Sequence, residues 1–360
     1  MGDESHLDKL MKYLVETMKL HILGYRFENN RIIWGEINGI VQLPLDIEDY
    51  VEPGHFRLRK GRRFRHSWFS PKIYLYPSEQ IFISDSRDFK ESKTPKLVEY
   101  DRVSIFGIKT CDLEAIKILD SMLLYKHPIY TARRESVSLI VVEECLEPNN
   151  NCFCAITGTG PLAIDGFDIA FARLEPGKII FKYGSKIGEE ILRALNLLIA
   201  GKREVSTYFD KAEKAVIDMR KKIPIDINGI QGALSRSIHD SLIWSKISEN
   251  CTGCGNCNFV CPTCFCMEMI YSIENMNTSS RVGKWTGCLL FSYGLVAGMH
   301  FRPELYMRFR HFILHKFMFY PKQIGRIGCV GCGRCITWCP MKVDQIHALR
   351  KLIEGFGKVE

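Results

Sequence analysis

Leu7, Leu10, Met11, Leu14, Val15 and Met18 recur at intervals of three and four, a rhythm that predicts an opening amphipathic helix packed on a core. Short β-rich runs follow at 31–34 (RIIW), 72–76 (KIYLY), 80–84 (QIFIS), 103–108 (VSIFGI) and 137–142 (VSLIVV), separated by Pro, Gly and Asp clusters. Between the last two, DLEAIKILDSMLL (112–124) has the apolar spacing of a helix. Strand, helix, strand predicts a crossover unit with some parallel sheet. Further strands are expected at 167–174 and 178–183, then helices near 186–200, 207–222 and 228–246, with Pro224 of KKIPID separating the last two. The pattern therefore predicts an α/β domain with a mixed sheet over 1–247, closing in a helical linker, and a second domain over 248–360.

That second domain is defined by its cysteines. Cys251, Cys254, Cys257 and Cys261 stand at the spacing C-x2-C-x2-C-x3-C-P, and Cys329, Cys332, Cys335 and Cys339 repeat it, the runs ending in Pro262 and Pro340. Such a repeat is the ligand pattern of a two-cluster ferredoxin, in which three thiolates stay local and the fourth crosses over. The expected sets are Cys251, Cys254, Cys257 with Cys339 for one [4Fe-4S] cluster, and Cys329, Cys332, Cys335 with Cys261 for the second. Gly253, Gly255, Gly331 and Gly333 suit a backbone wrapped round a cube. Zinc is the competing metal, but it takes ligands in separated pairs. The 67 residues from 262 to 328 exceed the short connection of a small ferredoxin, so an insertion is placed at about 267–325 and read as largely helical.

Seven cysteines remain. Cys111 opens the helix after VSIFGI, Cys145 follows VSLIVV, and Cys152 and Cys154 lie in the loop NNNCFC. Adjacent strand ends converge in an α/β sheet, so these four form a candidate third iron-sulfur site, with the helix N-terminus favouring the Cys111 thiolate. Single buried, inert cysteines are the alternative. Cys264, Cys266 and Cys288 make an incomplete set, read as packing beside the second cluster or as a thiol site completed by another chain.

Composition adds limits. With 360 residues and 46% hydrophobic content the chain can bury a full core, and its net charge of +8 is spread rather than concentrated. The start MGDESHLDKL has no apolar signal region and no stretch is long enough to span a membrane, so a cytosolic protein with reduced cysteines, at low oxygen tension, is expected. No dinucleotide fingerprint follows a strand, since GTGPLAIDG from Gly158 carries a proline, and no P-loop or hydrolase motif occurs. Flavin and nicotinamide are therefore assigned to another subunit. The segment 303–319 reads as a helix carrying Arg308, Arg310, His311, His315 and Lys316 among aromatics, suited to phosphates or an acidic neighbour, or else with solvated cations over a packed apolar side.

Taken together, PKIYLYPSEQIFI, FGIKTCDLEAIKILD, the arginines of YTARRES, EECLEPNNNCFC with TGTGP, CPTCFC, WTGC, AGMHFRPE, RFRHFILHKF and CVGCGRCITWCP resemble the iron-sulfur subunit family that includes the beta subunit of archaeal cytosolic sulfhydrogenases and the iron-sulfur subunit of anaerobic sulfite reductase. The resemblance implies an electron-transfer subunit between a flavin-bearing, NAD(P)-binding partner and a catalytic subunit of hydrogenase or sulfite reductase type. One departure stands at the first isolated cysteine, which the family often precedes with arginine and proline and this chain with Lys109 and Thr110.

Three functions remain to be separated. A non-catalytic relay leads. The alternative is a subunit that itself reduces a sulfur substrate at an open cluster near Cys111 and Cys154, with His127, Arg133 and Arg134 as proton donors. A nucleic-acid-binding redox sensor is the third.

Overall fold

The computed structural model describes residues 1–62, 64–85, 99–222, 227–275 and 278–356. In chain order its strands are β1 (His21–Glu28), β2 (Arg31–Glu36), β3 (Ile47–Glu52), β4 (His55–Lys60), β5 (Glu79–Asp85), β6 (Val103–Lys109), β7 (Val137–Glu143), β8 (Ile169–Glu175), β9 (Lys178–Tyr183), β10 (Met267–Asn275), β11 (Thr278–Trp285), β12 (Leu295–Val296) and β13 (Met299–His300).

Six of them form one sheet in the order β2-β1-β6-β7-β8-β9. Its four inner strands are mutually parallel and its edges antiparallel, the mixed sheet expected. Alternation along the strands feeds two cores. Ile105, Ile108, Ile140 and Val142 meet Leu113, Ile116 and Leu119 of the helix Thr110–Leu123 on one face. Phe106, Leu139 and Val141 meet Leu7, Leu10 and Leu14 of the opening helical segment on the other. A parallel sheet buried on both faces directs its loops to the ends of its strands. Cys111 and Cys145 lie just beyond the ends of β6 and β7.

The C-terminal part packs around Trp244, Phe309, Phe312, Phe317, Leu349 and Leu352. These residues come from Ser241–Ile247, from Leu305–Leu314 continued by a wider π-turn at His315–Phe319, and from Gln345–Phe356. A smaller sheet, β10-β11-β5, joins the two halves, because β5 from the first half pairs antiparallel with β11 from the insertion.

Several expectations need correction. KIYLY forms the short helix Lys72–Leu75 rather than a strand. Its Tyr74, Leu75 and Tyr76 are all buried, with the tyrosine hydroxyls bonded to Ser136 and to Phe265 O, so the run packs on every side and β-propensity has no half-open surface to act on. The single helix expected at 228–246 is two, Ile227–Ser237 and Ser241–Ile247, because the Asp240 carboxylate accepts from the N–H groups of Leu242 and Ile243 and starts a new helix. Pro224 lies outside the described residues. The insertion is not largely helical: its first part is the hairpin β10–β11 and the small pair β12–β13, and only then the helix from Leu305. Strand β1 is an addition, closed onto β2 by Asn29 and Asn30 at φ of 50° and 58°.

Candidate functional site

The two cysteine motifs fold alike. Gly255 and Gly333 take φ of 74° and 76° and start the short helices Asn256–Val260 and Arg334–Thr337. Just ahead, the N–H of Gly253 points at Cys251 Sγ and that of Gly331 at Cys329 Sγ, each at 3.4 Å. A Cβ at Gly333 would meet Asn151 O at 2.3 Å, and one at Gly331 would meet the Cys154 nitrogen at 2.6 Å, so only glycine lets the second motif lie against NNNCFC. Phe153 N–H donates to Gly331 O at 2.8 Å and Thr159 Oγ1 to Val330 O at 2.8 Å across the same seam.

Three thiol sets result. A small void is lined by Cys251, Cys254, Cys257 and Cys339, with Leu289 and Phe309 behind them. Cys339 Sγ accepts the N–H of Val343 at 3.2 Å. In the second set Cys261, Cys329, Cys332 and Cys335 lie within electrostatic reach of one another. Burial pushes the Cys329 thiol up to about 12 and Cys335 well above its ordinary value. Cys261 is held low, first by a hydrogen bond from Cys264 and then by Lys316 and Lys72. A third void is lined by Cys111, Cys145, Cys152 and Cys154, with Arg65, Lys109 and the second motif's Cys332 around it. The four loop cysteines that the sequence placed at strand ends do converge.

The donor sets fit iron-sulfur cubes: thiols around apolar voids, with backbone N–H groups aimed at sulfur. Helix position does not make Cys111 a thiolate. Burial, followed by neighbouring Asp112, pushes it well up, so a metal bound there would have to drive its deprotonation. Cys145 is likewise raised to about 11, by burial.

The remaining cysteines also stand together. Asn258 Nδ2 reaches Cys288 Sγ at 3.4 Å and Cys264 Sγ at 3.8 Å, while Cys266 meets the Tyr293 hydroxyl. Cys264 lies against Cys261 of the second set, whereas Cys288 is within electrostatic reach of Cys257 of the first.

Other expected residues lie elsewhere. His127 accepts from Tyr130 N–H and starts its own helix, Arg133 donates to Tyr74 O, and Arg134 is bound to Asp120 at 3.1 Å. None of the three lines the third void; Arg65, His66, Lys109 and Thr110 do. The basic helix packs its apolar side as the second of its readings expects, through Phe309, Phe312, Ile313 and Leu314, but its cations behave otherwise. Arg308 is buried and donates to Leu289, Arg302 and Pro303 carbonyls, and Lys316 is sealed inside, so these two offer no phosphate grip and are not solvated, while Arg310, half-buried, donates to Ile238 O. His311 and His315 stack on each other at 5.5 Å.

Sequence reasoning missed Arg334. Wholly buried, it donates to Asp112 at 2.7 and 3.1 Å, to the Tyr25 hydroxyl at 2.8 Å and to Ser67 O at 2.9 Å. It ties the second motif to the helix carrying Cys111. At the site's edge, Lys109 keeps a cation where the resemblance leads one to expect arginine, its Nζ 2.7 Å from Glu143. A solvent-open cleft of about 540 Å³ counts Arg65, Lys109 and Cys145 among its lining residues.

Residues 250–343 match the family model of the 4Fe-4S dicluster domain, a span that holds all eight motif cysteines. Over 340 residues the chain is 31% identical to the sulfhydrogenase 2 subunit beta of Pyrococcus furiosus, covering 93% of this chain and 91% of that relative. The chain belongs to the sulfhydrogenase beta-subunit family. No solved structure matches it. This member of the sulfhydrogenase beta-subunit family is an iron-sulfur protein, and among its described residues no helix is long and apolar enough to cross a membrane.

Proposed function

We propose that this chain relays single electrons within a cytosolic oxidoreductase complex, between a flavin-bearing, NAD(P)-binding partner and a catalytic subunit of hydrogenase or sulfite reductase type. The observation that carries this reading is the contiguity of the three thiol sets: Cys335 of the second set also lines the first void, and Cys332 of the second set also lines the third. Cys251, Cys254, Cys257 and Cys339 hold one [4Fe-4S] cluster, Cys261, Cys329, Cys332 and Cys335 a second, and Cys111, Cys145, Cys152 and Cys154 a third. Clusters bound there supply one-electron redox states. The chain's own residues keep water out with Leu289 and Phe309, aim backbone N–H groups at sulfur, and fix the separation of the sets through the Gly331–Phe153 seam. The relative's name, a subunit of a sulfhydrogenase, supports the class of partner.

Iron and sulfide analysis of anaerobically purified protein tests the assignment. Cys154→Ala is expected to lower iron by about four atoms per chain, a full cube. Unchanged iron would leave those cysteines structural, and colourless, iron-free wild-type protein would end the relay reading.

The cleft that reaches Cys145 favours a second reading, in which the subunit reduces a sulfur substrate at the third site. Incubating the isolated chain with a strong one-electron donor and polysulfide or sulfite separates the two. Sustained turnover supports the reductase; electron uptake that stops at the capacity of the clusters supports the relay.

A further inference from the structure

Two lysines are enclosed among thiols without a carboxylate to balance them. Lys72 is 3% exposed and Lys316 5%. Lys72 Nζ donates to Phe259 O at 3.0 Å and stands 3.9 Å from the Trp285 ring centre. Lys316 Nζ donates to Thr263 Oγ1 at 3.0 Å, lies 3.4 Å from Gly328 O, and is 5.6 Å from the Phe312 ring centre. Among the described residues neither takes part in an ion pair. The groups that face them are Cys261, Cys264, Cys266, Cys329 and Tyr320, together with each other.

A cation buried without an anion is strongly disfavoured, and two beside each other more so. Carbonyl oxygens and aromatic rings soften that cost but carry no net charge. The geometry therefore calls for negative charge at the thiols themselves.

The other two sets differ. Near the third, Arg334 is matched by Asp112 at 2.7 Å, Lys109 by Glu143 at 2.7 Å and Arg65 by Asp49 at 3.4 Å, while Lys222 sits at the half-exposed rim, donating to Asn149 and Cys152 carbonyls. Beside the first, Arg308 is the buried cation, spread over three carbonyls. Surplus buried positive charge collects at the second set.

We infer that Lys72 and Lys316 are the built-in counter-charges of the second cluster and hold it at the highest reduction potential of the three, making it the reservoir in which electrons rest. The inference depends on the ligand assignment proposed above. Its physics is direct: an added electron makes the cluster more negative, and a fixed cation in a low-dielectric surrounding stabilises the reduced form more than the oxidised one. The lysines are positioning residues, acting through charge without ligating iron.

The test is an anaerobic redox titration of the full chain followed by electron paramagnetic resonance, with Cys335→Ser identifying the second cluster's signal. In the wild type that signal should titrate above the other two. Lys316→Met should weaken its reduction at least tenfold, about 59 mV for a one-electron couple, with iron content and the other two signals unchanged. Lys316→Arg should restore most of the loss. Should Lys316→Met fail to fold, Lys72→Met reads the same shift. A second-cluster potential unmoved in protein that retains its iron, or a wild type in which another cluster titrates highest, overturns the inference. A wild type with no signal removed by Cys335→Ser defeats the ligand assignment instead.

Discussion

Arg334 occupies the position next to Cys335 and is held on three sides, by Asp112, Tyr25 and Ser67 O. Removing one member of such a pair leaves the other charge buried and unmatched. Arg334→Met should therefore lower the stability of the fold by about 3–5 kcal/mol, read as a shift in the denaturation midpoint under anaerobic conditions. Double replacement of Arg334 and Asp112 by apolar residues should cost less than the single change, because no orphan charge remains. Cys339→Ala makes a different demand: iron should fall at the first cluster while the second keeps all its ligands, and loss confined to the second cluster would refute the crossed pairing. Legibility at this scale followed distance along the chain. The eight motif cysteines show themselves because their spacing is local, whereas Arg334 and Asp112 are 222 residues apart and carry no mark of their pairing. Lys316 was legible as a cation of its helix but not as a neighbour of thiols, and Lys72 lay within a run read as a strand, because a lysine in sequence is taken as solvated.

At the scale of elements, β-rich runs bounded by turn residues identified β6, β7 and β9 almost to the residue. The same β-rich composition misread Lys72–Leu75, a single helical turn whose Tyr74, Leu75 and Tyr76 are fixed by tertiary packing. The helix Leu305–Leu314 and its π-turn were legible in extent but not in the fate of their cations, which point into carbonyls and thiols. Burial also pulls His311 and His315 from an ordinary value near 6.5 down to about 4, with Arg302 adding to the effect on both. The unfolded chain takes up protons on these side chains that the fold refuses, so the fold loses stability as pH falls from 6.5 towards 4 and the loss levels off below. Replacing both with glutamine should flatten that part of the stability–pH curve, measured by chemical denaturation. An unaltered curve would mean the histidines remain protonatable in the fold.

Across the whole molecule the three thiol sets are stitched to one another by the second motif, which touches the first void through Cys335 and the third through Cys332. Metal binding to such sites is part of folding. Stripping iron with a chelator should therefore broaden and lower the thermal transition of the entire chain, including the six-stranded sheet, observed by circular dichroism. A sheet melting unchanged in the stripped protein would show the halves to be independent. The sequence suggested a division near residue 247, and it could not reveal that β5, encoded long before that point, completes the sheet of the insertion with β11. That pairing bears on how the protein can be handled and inherited. A gene fragment beginning after residue 247 would yield a ferredoxin-like piece with the raw flank of β11 open to solvent and to other chains, prone to clump; its complement would carry an orphan ribbon with nothing to lie against. The two parts are thus expected to travel through evolution, and through any expression host, as a single inseparable cassette.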